Sequence, residues 1–200
     1  MKHYLNGLKF GLLLQFAVGP VCLLVFNTAQ NGGLAPSLTL VSAVALVDAF
    51  YIFLAAAGVS RLLAKQGAER VLKSLSAVVL VLFGLNITLS VFGRGFIPGF
   101  TVTANVRSVF VQGLILTLSN PLTIVFWGGV LTAEMAEKQY GRRDFLVFAA
   151  GLVSATAFFL SGVAALGTAL SAFIPPRAAD VLNVAVGAAV AFFGVRILLK

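Results

Sequence analysis

Residues 11–26 read GLLLQFAVGPVCLLVF, an apolar stretch interrupted at Gly19 and Pro20. Proline inside a helix removes a backbone hydrogen bond and clashes with the preceding turn, at about 3 kcal/mol or more. The pattern recurs at 113–127, GLILTLSNPLTIVFW. In each, Gly is followed four positions on by a polar residue, Gln15 or Thr117, and then by a Pro, Pro20 or Pro121, nine or eight positions after the Gly. The fold turns on how these two interrupted segments are read.

The surrounding composition supplies the solvent. Of 200 residues, 60% are hydrophobic and 10% charged, and the apolar runs recur along the whole chain. This is the composition of a polytopic membrane protein. The net charge of +8 comes from short Lys/Arg clusters between apolar runs, with no basic face to track phosphates, so nucleic acid is excluded as a partner and membrane topology explains the charge. The single cysteine, Cys22, allows neither an internal disulfide nor a thiolate cluster, and is read as a small buried hydrophobe. The start, Met1-Lys2-His3-Tyr4, is basic and precedes an apolar run, but that run passes through Gln15, Gly19 and Pro20 without a small-residue cleavage site, and is read as a retained first span.

Breaks at charged and Gly/Pro-rich positions divide the chain into six candidate spans, about residues 5–30, 36–58, 70–92, 108–133, 144–170 and 178–198. Each reaches the roughly 20 residues a helix needs to cross the hydrocarbon core, and none shows the alternation of a lipid-facing barrel. With a cytoplasmic N-terminus, Lys2, Lys9, Arg61, Lys65, Arg70, Lys73, Lys138, Arg142, Arg143, Arg196 and Lys200 fall inside, against Arg94, Arg107 and Arg177 outside. The excess of basic residues predicts cytoplasmic termini.

Further echoes follow the first. VALVDAFYIFL (44–54) is answered by AAGLVSATAFFL (149–160), and VVLVLFGLNITL (78–89) by AAVAFFGVRILL (188–199). The repeat unit is three helices, and because three is odd the second copy enters the membrane the other way up. The expectation is a single membrane domain, 1–200, with repeat one at about 1–93 and repeat two at about 107–200 as a 3+3 inverted-topology repeat with broken helices one and four.

Pro20 cannot bond the carbonyl of Phe16, nor Pro121 that of Thr117, so each break frees a carbonyl and the N–H groups that open the next half helix. Half-helix ends bind substrates and cations at the midplane of secondary transporters. Gln15 and Asn27 flank the first break; Thr117, Asn120, Thr123 and Trp127 share a helix face at the second. Interhelical hydrogen bonding is the competing role for each.

Asp48 is the one acidic residue near the middle of a span; Glu69, Glu134, Glu137, Asp144 and Asp180 lie at or near loops. A carboxylate at the bilayer centre costs roughly 3 kcal/mol on insertion scales, so it should face the interior and pair or take up a proton. No Lys or Arg lies at the matching depth of another span, which favours a protonatable site. Tyr51, one turn on, can hydrogen-bond there or pack. His3 reads as a terminal residue, the Gly7 to Gly11 spacing as a small-residue helix contact, and 134–144, EMAEKQYGRRD, as a cytoplasmic turn.

Three pieces of the chain, AVGPVCLLVFNTAQNGG (17–33), ALVDAFYIFLAAAG (45–58) and LSNPLTIVFWGGV (118–130), carry a family likeness. The chain resembles the LysE-type translocator family of bacterial amino-acid exporters over nearly its whole length. The resemblance implies export of amino acids or related metabolites from the cytoplasm, driven by the proton gradient or the membrane potential. It assigns Gly19, Pro20, Asp48, Asn120 and Pro121 a role in the pathway. Many members have Pro-Gly-Pro where this chain has Val18-Gly19-Pro20, and a basic residue where it has Leu122. Both departures lie beside the pathway that the resemblance implies.

The expectation is a multi-pass secondary transporter of the bacterial inner membrane, not an enzyme, with no cofactor and no bound metal. Its partners are the small-molecule substrate, the proton and the lipid bilayer, and a homodimer is compatible with it. The substrate pathway comprises Gln15, Phe16, Gly19, Pro20, Asn27, Thr117, Asn120 and Pro121, with Asp48 coupling protons. Two alternatives stand beside it. A cation permease would call for several hard or thiolate ligands near the midplane. A CcdA-like thiol redox carrier would call for a cysteine at each break, and only Cys22 is present.

Overall fold

Seven helices and no strand make up the described residues, which in this computed structural model are 1–15, 20–56, 66–96, 106–119 and 140–199. Within the first predicted span the described helices are α1 (Lys2–Gln15) and α2 (Pro20–Gly32). Gly33, with φ +81, turns the chain into α3 (Leu34–Ala56) and donates its N–H to the Ala29 carbonyl at 3.0 Å. Next come α4 (Gln66–Val91) and α5 (Val106–Leu118). α4 closes on Gly93, φ +69, with the Arg94 N–H returning 2.9 Å to the Leu89 carbonyl. The last two are α6 (Arg142–Ser171), with Asp144 in its first turn, and α7 (Pro176–Leu198).

Three helices are long and apolar enough to cross a membrane: Leu34–Leu54, Arg143–Ser171 and Arg177–Arg196. They fall in the predicted spans 36–58, 144–170 and 178–198. Ala77–Val91 and Arg107–Leu118 are shorter apolar pieces within the predicted spans 70–92 and 108–133.

The bundle buries polar side chains within an apolar core while leaving large apolar ones outside. Asn27, Ser37, Asp48, Asn86, Gln112, Thr117, Thr156 and Asn183 are buried, while Leu46, Phe50, Phe53, Leu82, Leu146, Phe158, Leu166, Val181 and Phe192 are exposed. Exposed apolar surface on this scale marks a surface meant for lipid or partner. Lipid removes the penalty on the exposed side chains and raises it on any polar group left outside.

Small residues set how closely the helices approach. Gly7 and Gly11 of α1 lie against Phe148, Leu152 and Ala155 of α6, so close that an added methyl would strike them. The contacts advance together along both helices, and α2 continues them, with Phe26 and Ala29 against Gly167. α1 and α2 therefore run one above the other, parallel to α6. On the other flank, Gly113 of α5 packs on Leu40 and Ala43 of α3, and Leu118 lies beside Tyr51, so these two also run parallel.

α4 and α7 run antiparallel through a reciprocal set of contacts. Gly84 meets Gly187 and Ala191, and Gly194 meets Ala77 and Val81. Without a hydrophobic drive between helices in lipid, such close van der Waals approach is what holds a pair together. Asn183 of α7 reaches α2, and Asp48 of α3 reaches α6, which fixes the direction of the rest. Met1 and the C-terminal end of α7 lie at one end of the bundle. At that end the described basic residues are Lys2, Lys9, Arg70, Lys73, Arg142, Arg143 and Arg196; at the other they are Arg94, Arg107 and Arg177.

Candidate functional site

α3 carries Asp48 into the interior on the face that also presents Val44, Val47 and Tyr51, leaving Leu46, Phe50 and Phe53 outside. The helical repeat alone dictates this division, since positions three and four apart share a face. Asp48 is 5% exposed and its Oδ2 accepts a hydrogen bond of 2.8 Å from the Thr156 hydroxyl of α6, itself 1% exposed. Thr156 Oγ1 in turn accepts from Gln15 Nε2 at 2.7 Å. Gln15 is the last residue of α1. The chain Gln15–Thr156–Asp48 thus joins the end of α1 to the buried acid.

The donor order follows from chemistry. A threonine hydroxyl has one proton and two lone pairs, and an ionised carboxylate can only accept. The proton of Thr156 goes to Asp48, so Gln15 presents its amide NH₂.

One turn along α3, the Tyr51 hydroxyl donates to the Leu118 carbonyl at 2.7 Å. That carbonyl belongs to the last turn of α5, where helical partners end. A helix end in an apolar interior needs such a substitute donor. Tyr51 also packs with Val47, Ile52, Phe145, Phe148 and Leu152, so it fills both roles open to it in the sequence. Thr117, 1% exposed, makes no hydrogen bond through its hydroxyl among the described residues.

Asn27 lies elsewhere. It donates to Asn183 of α7, which also accepts from Asn31 Nδ2 at 2.9 Å and donates back to Asn31 Oδ1 at 3.2 Å. Asn31 Nδ2 further caps the Asn27 carbonyl at 2.7 Å. Phe26 contacts α6 at Gly167, eleven residues beyond Thr156, or about 16 Å at helical rise. Of the predicted site residues, the structure brings Gln15 and Asp48 together and places Asn27 in a separate amide cluster toward the far end. Pro20 opens α2; Phe16, Gly19, Asn120 and Pro121 lie outside the described residues, as do Thr123 and Trp127.

Thr156, Asn31 and Asn183 were not singled out by the sequence. Threonine is common in membrane helices, but a signal existed. Asp48-Ala49-Phe50 is answered by Thr156-Ala157-Phe158, and it is the two polar members of these triplets that meet. No signal distinguished Asn183, whose importance rests on which helix α7 packs against.

At the Met1 end, His3 Nε2 lies 3.7 Å from Asp144 Oδ1, and its ring meets Tyr140 edge-on at 5.5 Å. Among the described residues no group of three or more His, Cys, Asp or Glu stands close enough to hold a metal ion.

A Bacillus subtilis (strain 168) protein named "Putative amino acid efflux protein YcgF" is similar to the chain, at 23% identity over 155 residues, covering 76% of this chain and 74% of that protein. No solved structure matches with significance. The model of the LysE type translocators matches residues 12–200, nearly the full length, and the chain belongs to that family.

Proposed function

We propose that the protein is a six-span secondary transporter that exports amino acids or related small metabolites from the bacterial cytoplasm, coupled to proton influx. The observation that carries this reading is the placement of Asp48. A carboxyl group 5% exposed in an apolar bundle is held by Thr156, and through it by the residue that ends the interrupted first span. Such a group is costly to keep in lipid and belongs to proton relays and ion pathways. Substrate binds between the first and fourth spans, where Gln15 and Thr117 supply polar contacts with Phe16, Gly19, Pro20, Asn120 and Pro121, and Asn27 lines the route toward the far end.

The reciprocal contacts of α4 with α7 support a 3+3 inverted repeat. With Ala77 matched to Gly187, Val81 to Ala191 and Gly84 to Gly194, the pair Gly84–Gly187 becomes Gly194–Ala77, and Gly84–Ala191 becomes Gly194–Val81. The two repeats rock about the site in alternating access. The greater basic charge at the Met1 end supports an inner-membrane protein with both termini cytoplasmic.

The test is uptake into everted membrane vesicles under an imposed pH gradient, acid inside, with a panel of amino acids and inorganic cations. Amino-acid uptake that collapses in Asp48→Asn is the expected result. Proton-driven uptake unaffected by that substitution removes Asp48 from the mechanism, and uptake of cations alone turns the reading to a permease.

A further inference from the structure

The hydrogen bonds around Thr156 form a chain whose direction can reverse. With Asp48 ionised, the order is Gln15 NH₂ to Thr156 to Asp48. A proton arriving from water makes Asp48 a donor. With that proton on Oδ2, the carboxyl hydroxyl serves Thr156 Oγ1, the Thr156 proton rotates toward Gln15, and the Gln15 amide turns its carbonyl to meet it. No proton travels along the chain and no bond to carbon changes; the one added proton stays on Asp48.

The consequence falls at the end of α1. In one state Gln15 gives its NH₂ to Thr156 and keeps its carbonyl for a ligand; in the other it gives its carbonyl and keeps its NH₂. We infer that Thr156 is the positioning residue that links protonation of Asp48 to the hydrogen-bonding sense of Gln15 at the end of α1. This rests on the proton-coupled reading above and gives it a physical link.

Other charged groups stand along the same helices. Among the described residues, the titratable or charged groups on the helices packed against α3 are Cys22 on α2, Arg107 on α5, and Arg142, Arg143 and Asp144 on α6. The arginines and Asp144 stand in the first turns of their helices. Tyr51 lies one turn from Asp48 on α3, with its hydroxyl given to Leu118. Thr156 is 1% exposed, so its hydroxyl is enclosed by protein.

The experiment uses the purified full chain in proteoliposomes loaded with a pH-sensitive dye, with a radiolabelled mixture of the protein amino acids as probe. It reads protons moved per amino acid moved. Thr156→Ser keeps the hydroxyl and is expected to keep the wild-type ratio. Thr156→Val is expected to lower it about tenfold, the worth of one charge-assisted hydrogen bond, whatever it does to the rate. Thr156→Ala removes the same hydroxyl with a smaller side chain and is expected to lower the ratio likewise, which covers a Val variant that does not fold.

A wild-type ratio in Thr156→Val, or a Ser variant as uncoupled as Val, overturns the inference and leaves the transport reading intact. A folded Val variant that stops amino-acid movement also overturns it, since Thr156 then belongs to the binding site itself. Wild-type protein that moves amino acids without protons, or moves none, defeats the underlying reading and this link with it.

Discussion

Among the described residues, two side-chain networks link separate helices, and they differ in one respect that decides what each can do. The far-end cluster of Asn27, Asn31 and Asn183 consists of amides that donate to and accept from one another. The inner chain of Gln15, Thr156 and Asp48 ends on an acid. Amides keep the same donors and acceptors at any physiological pH, so the first network fastens α2 to α7 in a fixed sense. An acid has two forms with different hydrogen-bonding capacity, so the second can exist in two senses. Burial alone does not make a polar group functional; a change of state does.

The largest test of this difference is Asp48→Asn. It makes the inner chain resemble the amide cluster, and proton-driven uptake in everted vesicles should fall by about tenfold or more, the scale of a lost charge-assisted interaction. Retained proton-driven uptake would mean that the two networks are of one kind.

Next is Asn183→Leu. It leaves Asn27 and Asn31 in an apolar setting without their partner, at about 1–3 kcal/mol. Thermal unfolding in detergent should move down accordingly, while protons moved per amino acid stay at the wild-type value. A changed ratio would give the far cluster a part in coupling.

Tyr51→Phe is smaller. It removes the donor to the Leu118 carbonyl and keeps the ring in its apolar cluster, so the loss should be about 1 kcal/mol in the same unfolding measurement. No loss would show that this helix end finds another donor. Smallest is Cys22→Ser, in neither network: Cys22 packs beside the core of Leu24, Val25 and Leu160. Uptake and its coupling ratio should stay close to the wild-type values, and a collapse would end its reading as a small hydrophobe.

Gly84→Val lies outside the comparison and controls for it. Its side chain would strike the backbone of Gly187 and Ala191, so surface expression should fall through lost packing of α4 on α7, with no specific effect on proton coupling in the protein that remains. An altered coupling ratio would show that this helix pair takes part in the link.

Much of this was legible beforehand because the bilayer imposes simple rules. Three helices match predicted spans closely, for example Leu34–Leu54 against 36–58, since a run of apolar residues in lipid has no alternative to a helix. The Gly7 to Gly11 spacing is a true helix contact, and Gln15 and Asp48 are joined through Thr156. Asp48 was legible because an acid in mid-span is rare and costly. Thr156 and Asn183 were not, because hydroxyls and amides are tolerated there as ordinary glue.

By itself the sequence determined the helices and the burial of Asp48, each dictated by local composition and the cost of exposing polar groups to hydrocarbon. Which residues answer Asp48 and Asn27 was decided only in three dimensions. Partner choice depends on which helices pack and in which direction, and glycines at 7, 11, 84, 113, 187 and 194 settle that through close backbone approach. The contacts they make join residues as far apart as Gln15 and Thr156, and no local pattern encodes such a pairing.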